Sequence, residues 1–69
     1  RDTKFPNLEQ RKGIQQALIR LGLYDGVVDG RIGPISQAAY AQFQAAQGLV
    51  ADGFITYRSY EELLAAAPQ

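Results

Sequence analysis

Asp29-Gly30-Arg31-Ile32-Gly33-Pro34 lies between two segments with helical periodicity, and Asp52-Gly53-Phe54-Ile55 echoes it 23 residues later. An Asp-Gly pair signals a turn, because Gly accepts φ > 0 and the Asp side chain can bond backbone N–H groups just beyond it. Gly33-Pro34 then starts a helix, since Pro in the first helical turn gives up an N–H that would have no partner. Ile32, apolar between polar breakers, is expected to point inward. The unit is a compact loop with one buried anchor, used twice.

The echo extends to both sides. Gly22-Leu23 matches Gly48-Leu49 at an offset of 26, whereas Asp29-Gly30, Ile32 and Ser36 match Asp52-Gly53, Ile55 and Ser59 at an offset of 23. The difference of three is an insertion in the first loop, which carries Tyr24-Asp25-Gly26-Val27-Val28. Two overlapping copies of helix, Gly-Leu exit and Asp-Gly loop account for three helices.

Helix signals fill the gaps. Asn7 followed by Gln10 fits a capping box, and Ile14, Ala17, Leu18 and Leu21 have the spacing of a core-facing stripe. Gly13 within that stripe is unfavourable by roughly 1 kcal/mol relative to Ala, which would place the helix start there. A second helix runs from Pro34 to about Gln47, burying Ala38 or Ala39, Tyr40, Phe43 and Ala46. Thr56 caps a third, with Tyr60, Leu63, Leu64 and Ala67 inward and Pro68 at its end. No stretch sustains strand alternation. The reading is an all-α, three-helix orthogonal bundle with structured Asp-Gly loops, occupying residues 8–67 behind a lead-in of residues 1–7.

Composition narrows the function. A chain of 69 residues makes one small domain, burying only about 60% of its unfolded surface. It has no Cys and no His, so disulfides, thiolate metal sites, and the commonest general base and metal ligand are all excluded; no metal or cofactor is expected. Seven basic and seven acidic residues cancel, without the basic stripe of a nucleic-acid binder. No apolar run is long enough to span a bilayer. The chain contains no Met, as expected of a mature or excised piece of a longer protein, and it is read as a monomeric domain of that larger chain.

The pattern Ile14-Gln15, Ala17-Leu18, Leu21-Gly22-Leu23-Tyr24, Gly26, Val28-Asp29-Gly30, Ile32-Gly33-Pro34, Ser36, Ala38-Ala39, Phe43-Gln44, Gly48-Leu49, Asp52-Gly53 resembles the three-helix peptidoglycan-binding domain attached to bacterial cell-wall enzymes. The resemblance covers about residues 11–65. It departs from the usual pattern at Ser36, where Thr is common, at Tyr40, where an aliphatic residue is common, and at Tyr57-Arg58-Ser59, which replaces a Pro-containing helix start. It implies a non-catalytic module that carries an attached hydrolase, lytic transglycosylase or envelope protein to murein, in the periplasm or an extracellular cell wall. The partner would be a glycan strand or a stem peptide.

Candidate site residues follow from chemistry. Asp29, Gly30, Gly33, Asp52 and Gly53 are read as structural loop residues. Tyr24, Arg31, Ser36 and Gln37 are the candidate ligand contacts: an aromatic ring suits the apolar face of a sugar, a guanidinium can pair with a carboxylate bidentately, and helix N-termini attract anions. A catalytic reading is weaker, because glycosidic hydrolysis needs two carboxylates facing one cleft and Asp25, Asp29 and Asp52 each occupy a turn. The alternative is a protein–protein interaction or pro-domain-like module on the same fold, with Ile19 and Ile35 exposed for a partner.

Overall fold

The computed structural model describes residues 4–67. Its architecture is three helices: α1 (Leu8–Arg20), α2 (Pro34–Ala46) and α3 (Tyr57–Ala66). Among the described residues there is no strand, and no helix is long and apolar enough to cross a membrane. Helix α1 packs against both α2 and α3.

Each helix starts where its capping chemistry places it. The Asn7 side chain accepts from the Gln10 N–H at 2.9 Å, and the Gln10 side chain accepts from the Asn7 N–H at 2.8 Å. Thr56 and Ser59 exchange the same pair of bonds at the head of α3. Pro34 opens α2 behind Gly33 as N-cap. Helix α1 therefore begins at Leu8, five residues before Gly13; a complete capping box outweighs one glycine's propensity.

The exits of α1 and α2 are the same motif. Gly22 and Gly48 follow the C-caps with φ of +78° and +76°. The N–H of Leu23 then donates to the Leu18 carbonyl at 2.9 Å, and that of Leu49 to the Gln44 carbonyl at 2.8 Å. This pattern satisfies carbonyls that would otherwise have no partner and turns the chain back along its own helix.

Ile14, Ala17, Leu18, Ala39, Tyr40, Phe43 and Leu63 form the core, with Leu21, Leu23, Tyr24, Ile32, Ile55, Tyr60 and Ala67 packed around it. Ala39 is buried and Ala38 exposed. Two expectations are corrected: Ala46 and Leu64 lie on the solvent side, because the buried stripe of α2 ends at Phe43 and Gln44 and that of α3 runs through Ser59 and Leu63. Tyr40 keeps its hydroxyl satisfied by bonding Ser59 across the α2–α3 contact.

The described part of the lead-in is tied down. The Phe5 ring meets Tyr57 and Tyr60 edge-on, with centroids 5.4 and 5.5 Å away, and the Pro6 carbonyl accepts from Arg11 at 2.7 Å. Arg1, Asp2 and Thr3, and the expected helix stop at Pro68, lie outside the described residues.

Candidate functional site

Both Asp-Gly loops are built around a buried glutamine. Gln15, fully buried on α1, accepts through Oε1 from the N–H groups of Asp29 and Gly30, at 3.0 and 2.8 Å. Its Nε2 donates to Asp29 Oδ1 at 3.2 Å, to the Arg31 carbonyl at 2.9 Å and to Ser36 Oγ at 3.3 Å. Gln44, on α2, repeats the device: Oε1 accepts from the Gly53 N–H at 2.9 Å, and Nε2 donates to Asp52 Oδ1 at 3.4 Å and to the Phe54 carbonyl at 3.0 Å. A side-chain amide serves here because it offers a donor and an acceptor side by side, matching a peptide edge.

The aspartates complete the loops. Asp29 Oδ1 accepts from the Arg31 N–H at 2.9 Å, and Asp52 Oδ1 accepts from the Phe54 N–H at 2.9 Å. The Arg31 N–H, and after it the Gln15 amide, hold the Asp29 carboxyl below its ordinary range. Gly30 and Gly53 sit at φ of +79° and +76°, the left-handed region that L side chains avoid. Gly30 is further enclosed: α1 lays Leu8 against it, where a Cβ would meet the leucine's Cδ1, and Arg11 Nε donates to its carbonyl at 2.7 Å. Residues 8, 11, 12 and 15 of α1 thus form one grip on the first loop.

The four candidate contacts occupy different environments. Tyr24 folds its ring over Gly26 and donates its hydroxyl to the Val27 carbonyl at 2.8 Å, closing the inserted segment on itself. Ser36 is only 3% exposed, with its hydroxyl on the Gln15 amide. Arg31 and Gln37 are exposed. Arg31 and Gln37 thus present polar side chains to solvent, Tyr24 is half-buried with its hydroxyl bond at the surface, and Ser36 faces inward.

Structural equivalence between the loops brings out residues that the sequence reading did not select. Gly33 and Thr56 are matching N-caps, and Ser36 and Ser59 are matching buried third-position serines. Two residues past each aspartate stand Arg31 and Phe54, and six past stand Ile35 and Arg58. Each loop therefore carries one cation and one large apolar group at these two positions, in opposite order. Ile35 and Phe54 are 73% and 71% exposed. The offset of 23 contained this exchange, but reading it required knowing that both helices start at equivalent places.

The second loop borders a cleft of about 170 Å³ whose lining includes Gln44, Leu49, Val50, Asp52, Phe54 and Arg58. It mixes apolar surface with one carboxylate and one guanidinium. Among the described residues no group of three or more Asp or Glu is placed to hold a metal ion.

The described residues thus combine three helices, two braced Asp-Gly loops with exposed surface of mixed polarity, and a cleft beside the second loop. The chain belongs to the peptidoglycan-binding domain family, described as "Putative peptidoglycan binding domain", which it matches over residues 7–63. Neither curated proteins nor solved structures gave a match.

Proposed function

We propose that this domain is a non-catalytic murein-binding module that targets an attached cell-wall enzyme or envelope protein to its polymer, in the periplasm or an extracellular wall. Family membership over residues 7–63 is the observation that carries the reading. Shallow, exposed loop surfaces suit weak binding, in the range of about −4 to −8 kcal/mol. Weak binding suffices for a tethered module, because attachment raises the effective concentration of the enzyme near a polymeric substrate.

On the first loop, Arg31 and Gln37 are the proposed contacts, a cation for a ligand carboxylate and an amide for hydroxyls or peptide groups. Tyr24 and Ser36 hold that surface in shape. The test is cosedimentation of the purified domain with sacculi, alongside the double variant Arg31→Ala, Gln37→Ala. Binding by the parent and a clear loss in the folded double variant support the proposal. Equal binding moves the contact surface off the first loop, and no binding by the parent rejects the murein reading.

The second reading, a protein-interaction module, draws on the exposed Ile35, Val50 and Phe54. It is preferred if the domain stays in the supernatant with sacculi yet forms a stoichiometric complex with another domain of its own parent chain.

A further inference from the structure

The cleft beside the second Asp-Gly loop carries a charge arrangement that the function above does not use. Asp52 lines it with a carboxylate whose structural bonds all fall on Oδ1, from the Phe54 N–H and the Gln44 amide. Its Oδ2 makes no hydrogen bond among the described residues. Arg58 lines the same cleft with its side chain 87% exposed, and among the described residues its ion pair is Nε to Glu62 at 3.4 Å. An exposed i, i+4 pair of this kind is weak and easily exchanged, and it leaves both terminal guanidinium nitrogens for another partner. Leu49, Val50 and Phe54 supply apolar surface to the lining.

We infer that this cleft is a subsite for the zwitterionic end of a peptide side chain, an ammonium and a carboxylate on a short aliphatic stem. The stem lies on Val50 and Phe54, the ammonium donates to Asp52 Oδ2, and the carboxylate pairs with the terminal nitrogens of Arg58.

The choice follows from elimination by charge. A ligand bearing only a carboxylate would meet the Asp52 charge, and one bearing only an ammonium would meet Arg58. A neutral sugar can hydrogen-bond to both groups through its hydroxyls but neutralises neither charge. Only a group with both signs satisfies each wall, and only one with an apolar stem covers the exposed Phe54. The inference rests on the murein reading for where such a group is found, namely the uncross-linked diamino acid of a stem peptide. The chemistry of the cleft stands apart from it.

The test uses three small probes with one stem: D-norleucine, N-acetyl-D-norleucine and D-norleucinamide. Each is titrated into the ¹⁵N-labelled domain while the amide resonances are followed. D-norleucine is expected to move the Val50, Phe54 and Arg58 amides saturably. Each blocked analogue should bind at least about tenfold more weakly, as should the parent zwitterion to Arg58→Gln and to Asp52→Asn, each having lost one charge-assisted bond. Asp52→Asn keeps its Oδ1 acceptor, and Arg58 is highly exposed and pairs weakly with Glu62, so both variants should retain the parent's dispersed spectrum.

Equal responses to all three probes, shifts centred on Arg31 and Gln37, or no response overturn the assignment. A parent that binds sacculi but ignores D-norleucine removes the subsite and leaves the murein reading. A parent that takes D-norleucine into the cleft but ignores sacculi does the reverse.

Discussion

Gln15 on α1 and Gln44 on α2 perform the same task at depths that differ by about one helical turn from the exits of their helices. Gln15 lies seven residues before Gly22 and its aspartate, Asp29, seven after; Gln44 lies four before Gly48 and Asp52 four after. Each loop turns back at its glycine and runs along the helix it has just left. A loop three residues longer therefore returns to the helix about 4.5 Å deeper, close to one turn. The insertion in the first loop is absorbed by moving the bracing amide down the same helix face, and both Asp-Gly turns keep their geometry.

Gln15→Ala is expected to lower stability by about 2–4 kcal/mol, because it leaves the buried Gly30 N–H without its partner and removes the Asp29 N–H bond beside it. Gln44→Ala should have a smaller effect, since its Oε1 accepts one backbone N–H rather than two. Urea unfolding of both variants measures the order; a larger loss at Gln44 would show that the first loop rearranges to satisfy itself.

Alanine at the positive-φ glycines should produce a graded series. At Gly22 the added Cβ meets nothing within 4 Å, leaving only the left-handed backbone penalty of about 1–2 kcal/mol. At Gly53 it approaches the Gln37 carbonyl oxygen at 3.4 Å, adding a little. At Gly30 it meets Cδ1 at the end of the half-exposed Leu8 side chain, which must swing aside, so a modest further loss is expected that Leu8→Ala should recover in the double variant. Thermal melts of the three single variants and the double test the ordering.

Acid should weaken the first loop through Asp29. Its folded pKa is lowered by the Arg31 N–H and the Gln15 amide, so the unfolded state binds more protons. Its contribution is present above the unfolded value of about 3.9 and is lost as pH falls through the folded value. Asp29→Asn retains an Oδ1 acceptor but cannot titrate. Its melting temperature is therefore expected to fall less steeply than the parent's below the ordinary carboxylate range, as followed by circular dichroism; parallel curves would remove Asp29 as the source.

Tyr40→Phe should cost about 1 kcal/mol, the net worth of one hydrogen bond, by breaking the link to Ser59. The parent carries a second signature. Burial raises the Tyr40 pKa, so its contribution is intact below about pH 10, the unfolded value, and is lost as pH rises through the folded one. Phe43→Ala removes a buried ring from the same helix face and should cost about 3–5 kcal/mol. Chemical denaturation at neutral and alkaline pH separates these effects.

Phe5→Ala should destabilise α3 without touching the loops, because the ring packs on Tyr57 and Tyr60 from outside the helix bundle. The expected loss is about 0.5–1.5 kcal/mol per aromatic contact. Hydrogen exchange should show it as faster opening of residues 57–66, with the Gln15-braced loop unchanged.

The local features of this protein could be read from the sequence because their causes are local. The Asn7 and Thr56 caps, Pro34 at the head of α2, the Gly22 and Gly48 exits and the stripe through Ile14, Ala17 and Leu18 depend on residues within about one helical turn of each other. Tertiary structure alone decided what the polar residues do. In a helix, Gln15 and Gln44 look like any solvated glutamine, and their burial depends on where a loop some distance along the chain comes to rest. The same holds for Ser36, placed by its position at a helix N-terminus among the ligand contacts but bonded inward to the Gln15 amide, and for Phe54 and Arg58, whose shared cleft exists only once the second loop has folded back beside α3. Backbone preferences act over a few residues, whereas hydrogen-bond partners and charge neighbours are set by the path of the whole chain.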